Sequence, residues 1–111
     1  MKKVFAKIYQ LDMSKNEAED LAFNGSEYQM ERFGSIRTDL YRNIYEGPVE
    51  VESDASVSNV LESIYETLNI GNRPEGYSGW SLSPSDIVGY GGKQYYVEPF
   101  GFTELEKEMA S

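Results

Sequence analysis

The strongest pattern along the chain lies between residues 57 and 69. Val57, Val60, Leu61, Ile64 and Leu68 fall at i, i+3, i+4, i+7 and i+11, one apolar stripe at a period of 3.6. The spacing predicts an amphipathic helix. Ser56 is placed to cap its N-terminus, with Asp54 just before it favouring the positive end of the dipole, and Gly71 and Pro74 are placed to end it. Glu62 and Glu66 fall on the opposite side, one turn apart, with Cβ atoms roughly 6 Å from each other.

Elsewhere the period drops to two. KVFAKIYQL (Lys3–Leu11) mixes apolar and polar residues at nearly every second position and reads as a first strand. TDLYRNIYEG (Thr38–Gly47) reads as a second, stopped by Gly47–Pro48. VEVES then extends it as an exposed edge, with Val49 and Val51 facing in and Glu50 and Glu52 facing out. DIVGY and KQYYVE flank Gly91–Gly92, a hairpin with a primed turn.

Between the first two strands, Ser14 with Glu17 and Ser26 with Gln29 match the capping-box spacing, separated by the breaker Asn24–Gly25. They predict a short irregular helix near 15–21 and a better one near 27–33, ended by Gly34. Thr103 is placed to cap a short C-terminal helix, ELEKEMA. The order β–α–β–α–β–β predicts one small α+β domain over residues 1–111. Its sheet is largely antiparallel, of about four strands, with helix 57–69 packed on it.

Composition narrows the chemistry. The 111 residues include no Cys and no His. Disulfides, thiolate nucleophiles, imidazole or thiolate metal sites and every Ser–His or Cys–His scheme are excluded. Nor is any apolar run close to the roughly 20 residues of a membrane helix. The N-terminus carries no uninterrupted apolar signal core, so the expected setting is the cytoplasm.

Charge is unevenly placed. Residues 1–43 carry seven basic and seven acidic groups, whereas residues 44–111 carry three and twelve, so the whole net charge of −9 lies in the second part. Glu46, Glu50, Glu52, Asp54, Glu62 and Glu66 follow one another without an intervening Lys or Arg. Such a surface is either a solvated acidic face or a docking face for a basic partner. It argues against direct binding of nucleic acid or of an anionic membrane.

GYSGWSLSPSDIVGYGGKQYYVEPFGF (Gly76–Phe102) holds the only Trp and four of the nine Tyr. Ser81, Ser83, Ser85 and Asp86 look most like a catalytic cluster, but a nucleophilic Ser needs a base, and Lys93 is the nearest Lys in sequence. Turn chemistry, with Ser and Asp satisfying backbone groups where a loop enters a strand, is the favoured reading. No catalytic residue, metal ligand or cofactor is therefore assigned. Tyr77 and Trp80 are the candidate aromatic anchors, since Tyr and Trp favour interfaces.

LESIYETLNI, GYSGWSLSPSDIV and YYVEPFGF together resemble the YodL-like domain, with looser similarity in KIYQL, DLAF and YRNIYEG. Trp80 stands where the family usually has His, and Pro84 where it has Val. The resemblance implies the company of small proteins of firmicute bacteria, many from conjugative or phage-like elements, and a protein-binding role more than an enzymatic one. The resulting expectation is an acidic inhibitor that blocks the basic nucleic-acid channel of a host defence nuclease, a CRISPR effector or a restriction enzyme. The alternative is a regulatory module that binds a housekeeping protein, such as a cytoskeletal filament, through the Tyr77–Trp80 loop.

Overall fold

In the computed structural model, residues 2–69 and 74–106 are described. The elements are β1 (Lys2–Leu11), α1 (Asn16–Leu21), α2 (Ser26–Phe33), β2 (Tyr41–Val51), α3 (Val57–Asn69), β3 (Ile87–Tyr90), β4 (Lys93–Val97) and β5 (Phe102–Leu105). A 3-10 turn at Thr38–Leu40 precedes β2. The five strands form one sheet in the order β2-β1-β3-β4-β5, every neighbouring pair antiparallel. The fold is therefore α+β, as expected, with one strand and one helix more than the predicted order.

Helix α3 forms where the stripe places it. Val60, Leu61, Ile64 and Leu68 are buried against Ala6, Ile8, Val49, Val51, Val88 and Val97 on one sheet face. Each such side chain contributes roughly 1.5–3 kcal/mol on burial. Ser56 caps the helix, its Oγ accepting from the Asn59 amide at 3.1 Å. Val57, the first residue of the stripe, stays exposed. Gly71 lies outside the described residues.

The opposite sheet face is covered at one end only. Tyr9, Ile87, Tyr96 and Leu105 pack there with Ile36 and Met30 under α2, and Leu11, Ala18, Leu21 and Leu40 make a satellite cluster under α1. Over β1–β2 that face stays open, with Lys3 opposite Glu50, Phe5 opposite Pro48 and Lys7 opposite Glu46. Phe5 is consequently 58% exposed.

Four expectations change. Gly47–Pro48 does not stop β2, which runs through both residues to Val51. β2 is the edge strand, and an edge tolerates a residue without an N–H. Thr38–Leu40, assigned to that strand, forms the 3-10 turn instead.

Neither capping box forms. Ser14 Oγ donates to Asp12 Oδ1 (2.6 Å), and the α1 cap is Lys15, without a side-chain bond. At α2 the cap is Gly25, and Ser26 bonds Glu98, 72 residues away. Lastly, Thr103 begins no helix: Phe102–Leu105 pairs with β4, where Phe102 and Leu105 pack against opposite faces of the sheet. Pairing with an open strand edge outweighs the helix propensity of Glu and Leu. The remainder of ELEKEMA beyond Glu106 lies outside the described residues.

The β3–β4 turn is as predicted. Gly91 and Gly92 have φ of 62° and 81°, the two consecutive positive values that a type I′ hairpin requires.

Candidate partner-binding site

The serine-rich loop is a structural knot. Gln10, fully buried on β1, donates through Nε2 to Asp86 Oδ2 (2.9 Å) and to the Trp80 carbonyl (3.0 Å). Its Oε1 accepts from the Trp80 amide (3.2 Å). Asp86 Oδ2 also accepts from the Ser83 amide (2.9 Å). The buried Ser83 Oγ has no hydrogen bond of good geometry among the described residues. Burial pushes the Asp86 carboxyl up to about 7, against the opposing pull of the Ser83 amide and Gln10.

The approach at Gly79 is close. A Cβ there would lie 2.2 Å from Gln10 Oε1 and 2.4 Å from Ile44 Cδ1, so any larger residue forces the Gln10 amide and the Ile44 side chain to shift. Ser85, at φ 83°, accepts at Oγ from the Phe23 amide (3.1 Å) and at its carbonyl from the Tyr41 hydroxyl (2.6 Å). Ser85 and Asp86 thus do what turn chemistry predicts, satisfying the Phe23 and Ser83 amides, whereas the Ser83 hydroxyl does not. Lys93 lies at the opposite end of β4, paired with Glu104 at 3.5 Å, and four residue steps along the strand, about 13 Å, separate it from Val97 beside Asp86.

A second buried network links α2 to the sheet. Gln29 donates to the hydroxyls of Tyr41 (2.8 Å) and Tyr96 (3.3 Å) and accepts from the Arg37 amide (2.9 Å). Tyr96 in turn donates to the Asn24 carbonyl (2.7 Å). Desolvation raises both phenols, that of Tyr96 to about 12.

The two aromatic candidates separate. Tyr77 turns inward: its hydroxyl donates to the Trp80 carbonyl (2.7 Å) and its ring lies 6.0 Å from that of Tyr45. Trp80 turns outward and is 37% exposed, on a backbone that Gln10 holds in place.

The six carboxylates divide between two sides of the molecule. Glu46 and Glu50 stand on the open outer face of β2, and Glu52 follows just beyond its end. Asp54 lies in the loop leading to α3. Glu62 and Glu66 stand on α3, which packs on the other sheet face.

Two of the six are paired. Glu46 is 3.8 Å from Lys7 Nζ, and Asp54 is 2.9 Å from Lys2 Nζ, whose hydrogen bond lowers the Asp54 pKa. Glu50, Glu52, Glu62 and Glu66 are exposed and form no ion pair among the described residues. Arg32 and Arg37 are engaged with Asp20, Glu17 and Asp39 instead.

Sequence reasoning missed the turn between β4 and β5. Glu98 Oε1 accepts from the Ser26 amide (2.9 Å), and its Oε2 is bonded by the hydroxyls of Ser26 and Thr103. A distant carboxylate thereby satisfies the N-terminus of α2, where the helix dipole favours negative charge. The Glu98 amide donates to the Gly101 carbonyl (3.0 Å) across the turn. Phe100, at its tip, is 96% exposed. Pro-Phe-Gly, an aromatic flanked by turn formers, was the available signal.

Between this turn and α3 runs a groove of about 300 Å³, lined by Glu62, Tyr65, Glu66, Pro99, Phe100 and Phe102 among others. Tyr65 and Phe102 meet edge to face at its base, 6.4 Å apart.

These features define a small α+β domain whose polar networks hold its loops and whose unpaired carboxylates face solvent. The chain belongs to the YodL-like domain family, whose model matches residues 5–107. No curated protein and no solved structure gives a match to it. No helix among the described residues is long and apolar enough to cross a membrane.

Proposed function

We propose that this domain acts by binding another protein and occupying a positively charged surface on it. The observation that carries this reading is the set Glu50, Glu52, Glu62 and Glu66: four exposed carboxylates, in the part of the chain that holds the whole charge excess, none of which forms an ion pair among the described residues. Surplus charge held in place in this way steers a basic partner and makes association fast and salt-sensitive. The target class whose chemistry fits is a nuclease with a basic nucleic-acid channel, such as a CRISPR effector or a restriction enzyme, which the domain inhibits by competing for the channel.

The test is reversal of all four residues to Lys. All four are exposed, so the fold, read by thermal melting and circular dichroism, is expected to persist while inhibition and capture are lost. A folded quadruple variant that inhibits like the parent sinks the reading.

A second reading follows from Trp80, an exposed ring on a backbone fixed by Gln10 and Tyr77. Such preorganisation lowers the ordering cost of binding. A regulatory module docking on a housekeeping protein, for instance a cytoskeletal filament, would use it. Capture that survives high salt and is lost on Trp80→Ala selects this reading; capture lost in high salt and kept by Trp80→Ala selects the first.

A further inference from the structure

The groove between α3 and the β4–β5 turn combines features found together nowhere else among the described residues. Its base is apolar, made by Tyr65 against Phe102. Along its α3 side, Glu62 and Glu66 sit one turn apart and form no ion pair among the described residues. On the other side stands Phe100, which takes almost no part in the fold.

An exposed Phe on a mobile loop is unremarkable, but this turn is fastened. Glu98 ties it to the first turn of α2 and to Thr103, and Glu98–Gly101 closes it. A large apolar ring held out into water by a fixed backbone costs little further entropy when a partner covers it. Surrounding charge narrows what that partner can be. Two carboxylates roughly 6 Å apart reject an acidic segment and match cations spaced along one.

We propose that this groove is a docking site for an extended peptide segment of a partner protein in which Lys or Arg alternates with aliphatic side chains. The aliphatic side chains pack on Tyr65, Phe100 and Phe102, and the cations lie along Glu62 and Glu66. The proposal deepens the reading of the domain as a binder of basic protein surfaces and rests on it. It moves the contact away from β2, where Glu46 has Lys7 beside it and Glu50 faces Lys3.

The test titrates the isotope-labelled domain with three six-residue peptides and follows backbone NMR shifts. The probes are Gly-Lys-Leu-Lys-Leu-Gly, a charge-only version with Gly for Leu, and an apolar-only version with Gln for Lys. The expected result is tightest binding by the first, with shifts concentrated at Tyr65, Glu66 and the 98–102 turn. Phe100→Ala is expected to weaken that binding about tenfold. Glu62→Gln with Glu66→Gln is expected to weaken it and flatten its salt dependence. Phe100 and both Glu are exposed, so these variants keep the fold, which their unchanged spectra away from the groove verify.

Equal binding by the charge-only peptide, shifts spread over β2 or centred on Trp80, or no binding by any probe would each overturn the groove. The broader reading fails separately. A groove that binds the first peptide while the four-residue Lys reversal leaves inhibition intact refutes the inhibitor and keeps the site. Loss of inhibition on that reversal with no peptide bound in the groove does the opposite.

Discussion

Of the turns that present an aromatic ring to solvent, those of Trp80 and Phe100 are built in opposite ways. The Trp80 loop is anchored from beneath: Gln10, buried on a central strand, bonds both the amide and the carbonyl of Trp80 and reaches on to Asp86. The Phe100 turn is anchored from its foot, by Glu98 reaching sideways to the first turn of α2. In the first case the polar groups that shape the loop are sealed in the core, and the ring is only 37% exposed. In the second they are half-buried at the sheet's edge, and the ring is 96% exposed. A loop fastened through the core contributes to stability, whereas a ring that touches almost nothing is free to serve a partner.

The sharpest way to break that contrast is Gln10→Leu. It orphans the Trp80 amide and takes one of two partners each from the Asp86 carboxyl, which keeps the Ser83 amide, and from the Trp80 carbonyl, which keeps the Tyr77 hydroxyl. An orphaned group costs about 1–3 kcal/mol and each further lost hydrogen bond about 1 kcal/mol. We expect a loss of about 3 kcal/mol or more in urea unfolding and a Tm lower by on the order of 10 °C. A loss below about 1 kcal/mol would mean that the loop is not held from beneath.

Next comes pH. Asp86 titrates at about 7 in the folded protein against 3.8 unfolded, so the folded state binds the proton more tightly. The stability that the protonated carboxyl contributes is therefore full near pH 4 and lost as pH rises through about 7. Unfolding free energy should fall by on the order of 2 kcal/mol between pH 5 and pH 8. Asp86→Asn keeps an oxygen for Gln10 and the Ser83 amide, and should abolish most of that slope. A wild-type profile that is flat over this window, or an Asn variant with the same slope, would assign the effect elsewhere.

At the other turn the effects shrink. Glu98→Ala removes the group that satisfies the start of α2 and should cost about 1–2 kcal/mol, the range of a lost helix cap, measured by thermal melting. Phe100→Ala should change stability by less than about 0.5 kcal/mol, as a surface substitution does. If Phe100→Ala instead destabilises more than Glu98→Ala, the ring belongs to the fold and the comparison collapses.

The division between legible and illegible features follows the range of the interactions. Helix α3 was readable because its signal is local: a stripe at a fixed period, with Ser56 at its cap. So was the β3–β4 hairpin, since Gly91–Gly92 specifies the turn by itself. The two capping boxes read equally well and were wrong, because Ser26 found Glu98 from the far end of the chain and Ser14 found Asp12 first. The fifth strand was hidden for a related reason, as Phe102–Leu105 becomes a strand only beside β4. At the candidate site, the type and surplus of charge came from composition. The separation of Glu50 and Glu52 from Glu62 and Glu66 onto two sides of the sheet did not, and neither did the pairing of Glu46 and Asp54 with Lys7 and Lys2.

What the chain by itself determined, then, is its class, its main helix, its tight hairpin, the absence of thiol and imidazole chemistry, and an acidic second half. Only the tertiary structure decided which carboxylates stay unpaired, that Gln10, Gln29 and Glu98 are the polar fasteners, and that Phe100 stands beside Glu62 and Glu66 over a groove. Periodicity and turn chemistry act over a few residues and are written along the sequence. Pairing across 70 residues is set by which strands lie side by side, and it exists only once the sheet has formed.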